Sequence, residues 1–228
     1  MKTNTTLVLT AAVVLSSGAA LADEGNNSLR IGAYFVHYDA NATDISGPYV
    51  PAGVNLKVDD VTTVYFAYIR RLSANYALEF AGGIPPKTNT VAQGPAKLGS
   101  VPYNGQTIGT SKWFSPTVLL LYRFRDESAA LRPYLGAGFN YTKFFDNRST
   151  AAGDAANGGA THIDLSDSFG WAWTAGIGYR FNDTWGINLS YSQSQVDSDM
   201  TATTAGVKRH TSIQFNPTAV VLSLGYSF

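Results

Sequence analysis

From residue 28 onward the chain alternates. Between Ser168 and Phe181, the residues Phe169, Trp171, Trp173, Ala175, Ile177 and Tyr179 share one parity. Ser168, Gly170, Ala172, Thr174, Gly176 and Gly178 share the other. An extended strand sends successive side chains to opposite faces, so this segment has one apolar face and one small or polar face. The same rhythm marks Ser28 to Tyr38, about Lys57 to Arg70, Asn75 to Ile84, Arg132 to Phe144, Thr184 to Val196 and Ser212 to Phe228. Lys112 to Arg125 is apolar on both parities, which does not suit a strand lining a purely aqueous pore. Eight segments and no convincing helical periodicity predict an all-β fold, and an even count returns both termini to one side.

The connections alternate in length. Asp39 to Leu56, Pro85 to Ser111, Phe145 to Asp167 and Asp197 to Thr211 are long and rich in Gly, Asn, Asp, Ser and Thr, whereas Arg71 to Ala74, Asp126 to Leu131 and Asn182-Asp183 are short. Consecutive up-and-down strands would put every short turn at one end with the termini and every long loop at the other. That asymmetry belongs to transmembrane barrels; a soluble eight-stranded barrel has less reason for it. Tyr68, Tyr76, Phe124, Tyr179, Trp185 and Phe228 fall at strand ends near the short turns, the positions of an interfacial aromatic girdle. The expected architecture is therefore an eight-stranded antiparallel up-and-down transmembrane β-barrel with short periplasmic turns and long extracellular loops.

The first residues agree with export. Lys2 supplies a positive start, Leu7 to Leu15 a short apolar core, and Ala20-Leu21-Ala22 a small-x-small cleavage pattern. Residues 1–22 are expected to be a cleaved signal peptide and 23–228 the barrel domain. That apolar core is too short to span a bilayer of about 30 Å. No later run is apolar enough over helical spanning length either. Zero cysteines exclude disulfides and thiolate metal sites, and a formal net charge of zero without basic runs argues against nucleic acid as a partner. His37 and His162 show no ligand spacing, so neither a metal nor a cofactor is expected.

The residues also carry a family resemblance. SPTVLLLYRF at Ser115 to Phe124 and LRPYLGAGFNYTKFFD at Leu131 to Asp146 resemble the central signature of the OmpW family of bacterial outer-membrane proteins. The elements at Ile108 to Lys112 and Leu165 to Ser192, and the final IQFNPTAVVLSLGYSF, match it too. The resemblance implies a barrel in the outer membrane of a Gram-negative cell envelope, with a narrow hydrophobic channel for small hydrophobic molecules. It also implies sideways release through the wall into lipid. Some family members carry a Trp in the seventh strand assigned to the channel interior; Ser192 stands there in this chain.

With the apolar parity facing lipid, the other parity faces the lumen. Many inward residues are small, including Gly136, Gly138, Gly176 and Gly178, and either leave a narrow cavity or relieve crowding. Trp113, Leu119, Leu121 and Ser192 are the channel-lining candidates. Glu79, Arg123 and Arg180 share the inward phase, and a buried charge is costly unless paired. A Glu79–Arg123 ion pair closing the periplasmic half is therefore expected. Pro116 and Pro217 lack the N–H that a ladder needs, which makes each a candidate lateral opening. His210 and Ser212, two residues apart, resemble the His and Ser of lipid A deacylases, but no orienting carboxylate is evident nearby and no enzyme is expected.

The expected partners are outer-membrane lipid and lipopolysaccharide, small hydrophobic solutes, and the barrel-assembly machinery, which would recognise the last strand ending in Phe228. The competing reading is a structural or surface-receptor barrel with a filled lumen, whose loops bind phage, toxin or host.

Overall fold

The computed structural model describes residues 26–98 and 100–228, so the expected signal peptide, Met1 to Ala22, lies outside the described residues. Eight long strands build the barrel. They are β1 (Asn27–Tyr38), β2 (Val61–Arg71), β3 (Tyr76–Gly83), β4 (Thr117–Arg123), β5 (Leu131–Ser149), β6 (Ser168–Arg180), β7 (Trp185–Ser194) and β8 (Pro217–Ser227). Each pairs antiparallel with its sequence neighbours, and β8 pairs back with β1 from Ser28 opposite Ser227 to Tyr38 opposite Pro217. The closing strand thereby removes both sheet edges, which would otherwise be unpaired in lipid.

The parities fall as the alternation requires. Leu29, Ile31, Phe66, Phe80, Leu120, Phe139, Phe169, Leu189 and Leu222 are exposed on the outer wall. A continuous apolar belt of this kind needs hydrocarbon around it. At its inner rim Tyr68, Tyr76, Phe124, Tyr179, Trp185 and Phe228 all face outward, reinforced by ring contacts such as Trp185–Tyr226 with centroids 5.0 Å apart. No described helix is long and apolar enough to cross a membrane; the crossing is made by strands.

The long connections carry β-structure of their own. They extend the barrel as two β arms, because polar strands leaving the membrane still need partners for every N–H and C=O. One arm pairs Thr161–Leu165, Asp197–Thr204, Val207–Gln214 and Asn41–Ala42. The other pairs Asn55–Val58, Lys87–Gln93, Thr107–Phe114 and the outer half of β5. Between them lies a short helix, α1 (Ala151–Asn157), started by Thr150 Oγ1 accepting from the Gly153 N–H at 3.1 Å and stopped by Gly158 at φ 80°. Met200, Ala202, Ile213 and Phe215 bury their side chains between the arms. That alternation lies within segments whose polar composition reads as loop.

The wall changes character where barrel strands hand over to arms. The arms separate above β1 and β2, whose last pair is Val36 opposite Val61, and above β5 and β6, whose last is Thr142 opposite Ser168. Between β3 and β4 the ladder stops at Ala81 opposite Thr117 and resumes at Lys87 opposite Lys112, six residues on along one arm and five along the other. Pro85, Pro86 and Pro116 occupy that interval. Proline cannot donate to a ladder, so the interruption follows from sequence.

Inside the membrane side chains crowd the lumen. Ala67, Ile69, Ala77, Leu119, Leu121, Ala172 and Val221 pack with Tyr65 and Tyr134. The inward glycines accommodate this filling: a Cβ at Gly136 would come 2.9 Å from Thr174 Cγ2 and closer still to Leu121, and one at Gly176 would come 2.5 Å from Tyr134 Oη. At Gly138 a Cβ would collide with the Val118 carbonyl of the neighbouring strand, backbone that cannot swing aside. Gly138→Ala is therefore expected to destabilise the barrel by about 1–3 kcal/mol, measured by urea unfolding of the refolded protein in lipid vesicles. An unchanged midpoint would show that the ladder yields there at no cost.

Candidate functional site

Three small cavities stack along the axis from the arms downward. The outermost, about 60 Å³, lies between the arms among Ile108, Trp113, Phe144, Met200, Arg209 and Phe215. The second, about 30 Å³, shares Tyr38, Trp113, Phe144 and Phe215 with the first and adds Tyr34, Ser192 and Pro217. The third, about 40 Å³, shares Tyr34, Ser115, Ser192 and Ser194 with the second and reaches Glu79, Ala81, Gly82, Thr117 and Leu119. Aromatic rings form the throat. Tyr34 and Tyr38 each stand edge-on to Trp113 with centroids 6.5 Å apart, Phe144 stacks on Phe215 at 5.1 Å, and Trp113 Nε1 donates to Thr88 Oγ1 at 3.0 Å. A dry cavity that takes up benzene is about 150 Å³. Each chamber here is smaller, so as these side chains stand none has room for a molecule of that size.

Two features of the arms bear on polarity. Tyr103 lines the first cavity, and burial pushes its phenol up to about 12, so it stays protonated. Arg209 is buried against the same cavity, and its Nη1 has no hydrogen-bond partner among the described residues. At the rim Asp60 accepts from the Tyr38 N–H at 3.1 Å and lies 2.8 Å from His37 Nδ1; the His37 contact holds its carboxyl below the usual range. This pair stands one residue beyond Val36 and Val61, the last rung between β1 and β2, where the arms separate.

A polar plug ends the string. Arg30 Nη1 donates to Glu79 Oε2 at 3.0 Å and lies 3.4 Å from the Tyr134 hydroxyl, with the guanidinium carbon 5.4 Å from that ring's centroid. The Tyr65 hydroxyl donates to Glu79 Oε1 at 2.9 Å. The expected Glu79–Arg123 pair is thus corrected: Glu79 takes Arg30 from β1 on the far side of β2. Arg123 makes no ion pair among the described residues, and Arg180 is exposed at the mouth, donating to the Ser128 carbonyl at 3.0 Å. Arg30 lies on the inward parity of the first strand, so parity alone could have flagged it. Tyr34, Tyr65 and Tyr134 share that phase.

Trp113, Leu119, Leu121 and Ser192 all turn inward. Trp113, Leu119 and Ser192 line cavities, whereas Leu121 is wholly buried in the packed interior and touches none of the three chambers. The two prolines differ. Around Pro217 the flanking ladders keep register, with Gln193 opposite Thr218 and Asp197 opposite Gln214, and Phe215 N–H donates to the Val196 carbonyl at 2.8 Å. Around Pro116 the β5 side is tied by the Tyr141 N–H to its carbonyl at 3.0 Å, but the β3 side is the interrupted ladder, which the third cavity reaches at Ala81, Gly82 and Ser115.

On the arms, Ser212 Oγ donates to Asp199 Oδ1 at 2.6 Å, and His210 Nδ1 lies 3.0 Å from Thr201 Oγ1. A carboxylate does stand beside Ser212, but it holds the serine directly instead of orienting the histidine as a nucleophilic triad requires. No cluster of three metal-ligating side chains occurs among the described residues.

A closed lipid-facing barrel with its strands prolonged into arms is matched by one family model, described as the OmpW family, over residues 23–228. The chain belongs to the OmpW family. Outer membrane protein W of Vibrio cholerae is 32% identical over 143 residues, 63% of this chain and 63% of that one. That of Escherichia coli is 29% identical over 226 residues, 98% of each. The dibenzothiophene metabolism operon protein PahQ of Pseudomonas aeruginosa is 24% identical over 91% of this chain and 90% of its own. The crystal structure of OprG from Pseudomonas aeruginosa superimposes with a TM-score of 0.80 at 22% identity, covering 90% of this chain and 96% of that one, which shows a shared fold. This OmpW-family member is an outer-membrane β-barrel protein, set in the bilayer by its apolar belt.

Proposed function

We propose that this barrel admits small apolar molecules from the cell exterior and releases them sideways into outer-membrane lipid. The carrying observation is the string of aromatic-lined cavities that ends on the Arg30–Glu79 plug and meets the wall where the β3–β4 ladder is interrupted beside Pro116. An apolar solute gains by leaving water for each successive chamber. It would have to part a buried ion pair to go straight on, and a gap without ladder hydrogen bonds offers the easier way into hydrocarbon. PahQ, a relative named for a dibenzothiophene metabolism operon, indicates fused aromatics as the first probe. Uptake of dibenzothiophene by cells producing the protein should exceed that of cells lacking it; equal rates would overturn the reading.

A second reading, a surface receptor with a filled lumen, draws on the tightness of the chambers and on the ordered arms. It predicts ligand capture at the arms with no effect on apolar uptake.

The last strand also bears on assembly. Phe228 exchanges hydrogen bonds with Asn27 at 3.1 and 2.9 Å, closing the barrel at its inner end, and we propose that this terminus is what the barrel-assembly machinery reads. Deleting Phe228 should lower the amount of heat-modifiable barrel in outer-membrane fractions while leaving uptake per folded molecule unchanged. Normal assembly would remove that role.

A further inference from the structure

Below the plug the barrel opens toward the short turns as a vestibule of about 360 Å³, and five arginines line it, Arg30, Arg71, Arg123, Arg132 and Arg180, against the carboxylates Glu127 and Asp183. Arg30 is neutralised by Glu79 and Arg71 by Glu127. The other three guanidiniums have no carboxylate partner among the described residues. Arg132 Nη2 donates to the Ala74 and Arg125 carbonyls at 2.7 and 3.1 Å, and Arg180 Nη2 to the Ser128 carbonyl, which orients both groups without cancelling their charge. Arg123 bears the largest cost: its Nε is sealed from solvent and has no hydrogen-bond partner among the described residues.

An unpaired guanidinium in a half-buried site beside two others costs free energy that the barrel alone does not recover. Gly178, Gly186 and Gly225 line the vestibule directly across the ladder from Arg132, Arg180 and Arg30, so no side chain stands at the rung beside these arginines, and Asn188 packs over Gly178, where a Cβ would come 2.8 Å from its Oδ1. The plug makes the vestibule blind, so its charge does not filter ions through an open pore.

We infer that this vestibule binds a phosphate-type oxyanion presented from the periplasmic side, with Arg123 as the central ligand and Arg132 and Arg180 beside it. A planar guanidinium fork matches two oxygens of a phosphate, and several forks around one dianion offset the mutual repulsion that otherwise opposes their gathering. The phosphate can belong to a free solute or to a lipid headgroup reaching over the rim. The site is independent of apolar transport, which lies above the plug.

The test is isothermal titration of inorganic phosphate into the full barrel in phosphatidylcholine nanodiscs, with Arg Nε–Hε resonances followed by NMR. Saturable binding is expected, with the Arg123 Nε–Hε signal shifting along the isotherm. Arg123→Gln should weaken it roughly ten- to a hundredfold, the worth of a charged hydrogen bond. Arg180→Gln, at the exposed rim where folding is not at stake, should weaken it less. Lys208→Gln on the far arms should change nothing. In a second arm, phosphatidylglycerol nanodiscs without free phosphate, a pre-shifted Arg123 signal that phosphate no longer moves would identify a lipid headgroup as the occupant. No saturable response in phosphatidylcholine together with an Arg123 signal at the same position in both lipids, or binding undiminished in both Arg123→Gln and Arg180→Gln, would overturn the site.

Discussion

Replacing Glu79 with leucine is expected to cost the barrel about 3–5 kcal/mol, whereas adding Arg30→Met to the same chain should restore most of the loss. Both side chains of the pair are 6% exposed. Removing the carboxylate leaves the Arg30 guanidinium in the packed lumen with only a tyrosine hydroxyl at 3.4 Å and the face of that ring. It also strands the Tyr65 hydroxyl, which now donates to Glu79. An orphaned buried donor costs about 1–3 kcal/mol of its own, so full recovery in the double variant is not expected. Urea unfolding in vesicles reads the stability; a single-variant loss below about 1 kcal/mol would show that water reaches Arg30 and that the lumen is not closed there. The same pair has an electrical readout. Arg30→Ala with Glu79→Ala removes the plug's bulk as well as its charge, and small-ion conductance in planar bilayers should rise above that of the Met and Leu version, which keeps the volume.

The barrel was legible because its two faces are chemically opposed along every strand. Phe169 to Tyr179 on one parity and Ser168 to Gly178 on the other leave only one way for the segment to sit between lipid and lumen. The arms were not legible, because Met200, Ala202 and Ile213 are too few apolar residues among Thr, Ser and Asp to mark strands. Their pairing follows from their attachment to barrel strands that already have a register. The site divided in the same way. Parity sent Trp113, Leu119 and Ser192 inward and Glu79 with them. It did not choose Glu79's partner, because strands on both sides of β3 carry inward arginines and the tilt of the barrel brings β1, two strands away, across the lumen to it. Nor does sequence distinguish Pro217, whose flanking ladders stay in step, from Pro116, which is joined in the wall by Pro85 and Pro86 of the facing arm.

Ala81→Leu should abolish the protein's contribution to dibenzothiophene uptake while leaving the barrel folded. Ala81 is the last β3 residue before the interrupted ladder, and it lines the third cavity, where about 40 Å³ is free. Three added carbons would fill most of that space at an overpacking cost of about 1–3 kcal/mol, which heat-modifiability and urea unfolding would register as a folded, weakened barrel. Loss of uptake alone would not separate a lateral exit from an axial one, since both paths cross this chamber. The separation comes from combining Ala81→Leu with the plug-removing Arg30→Ala and Glu79→Ala changes. If solute left along the axis, plug removal by itself would speed apolar uptake, because the ion pair is the barrier on that route. If it leaves between β3 and β4, removal should raise ion conductance and leave dibenzothiophene uptake where it was, and Ala81→Leu should silence uptake in either background. Faster apolar uptake through the unplugged barrel would place the exit at the periplasmic mouth and return the proline gap to a detail of the arms.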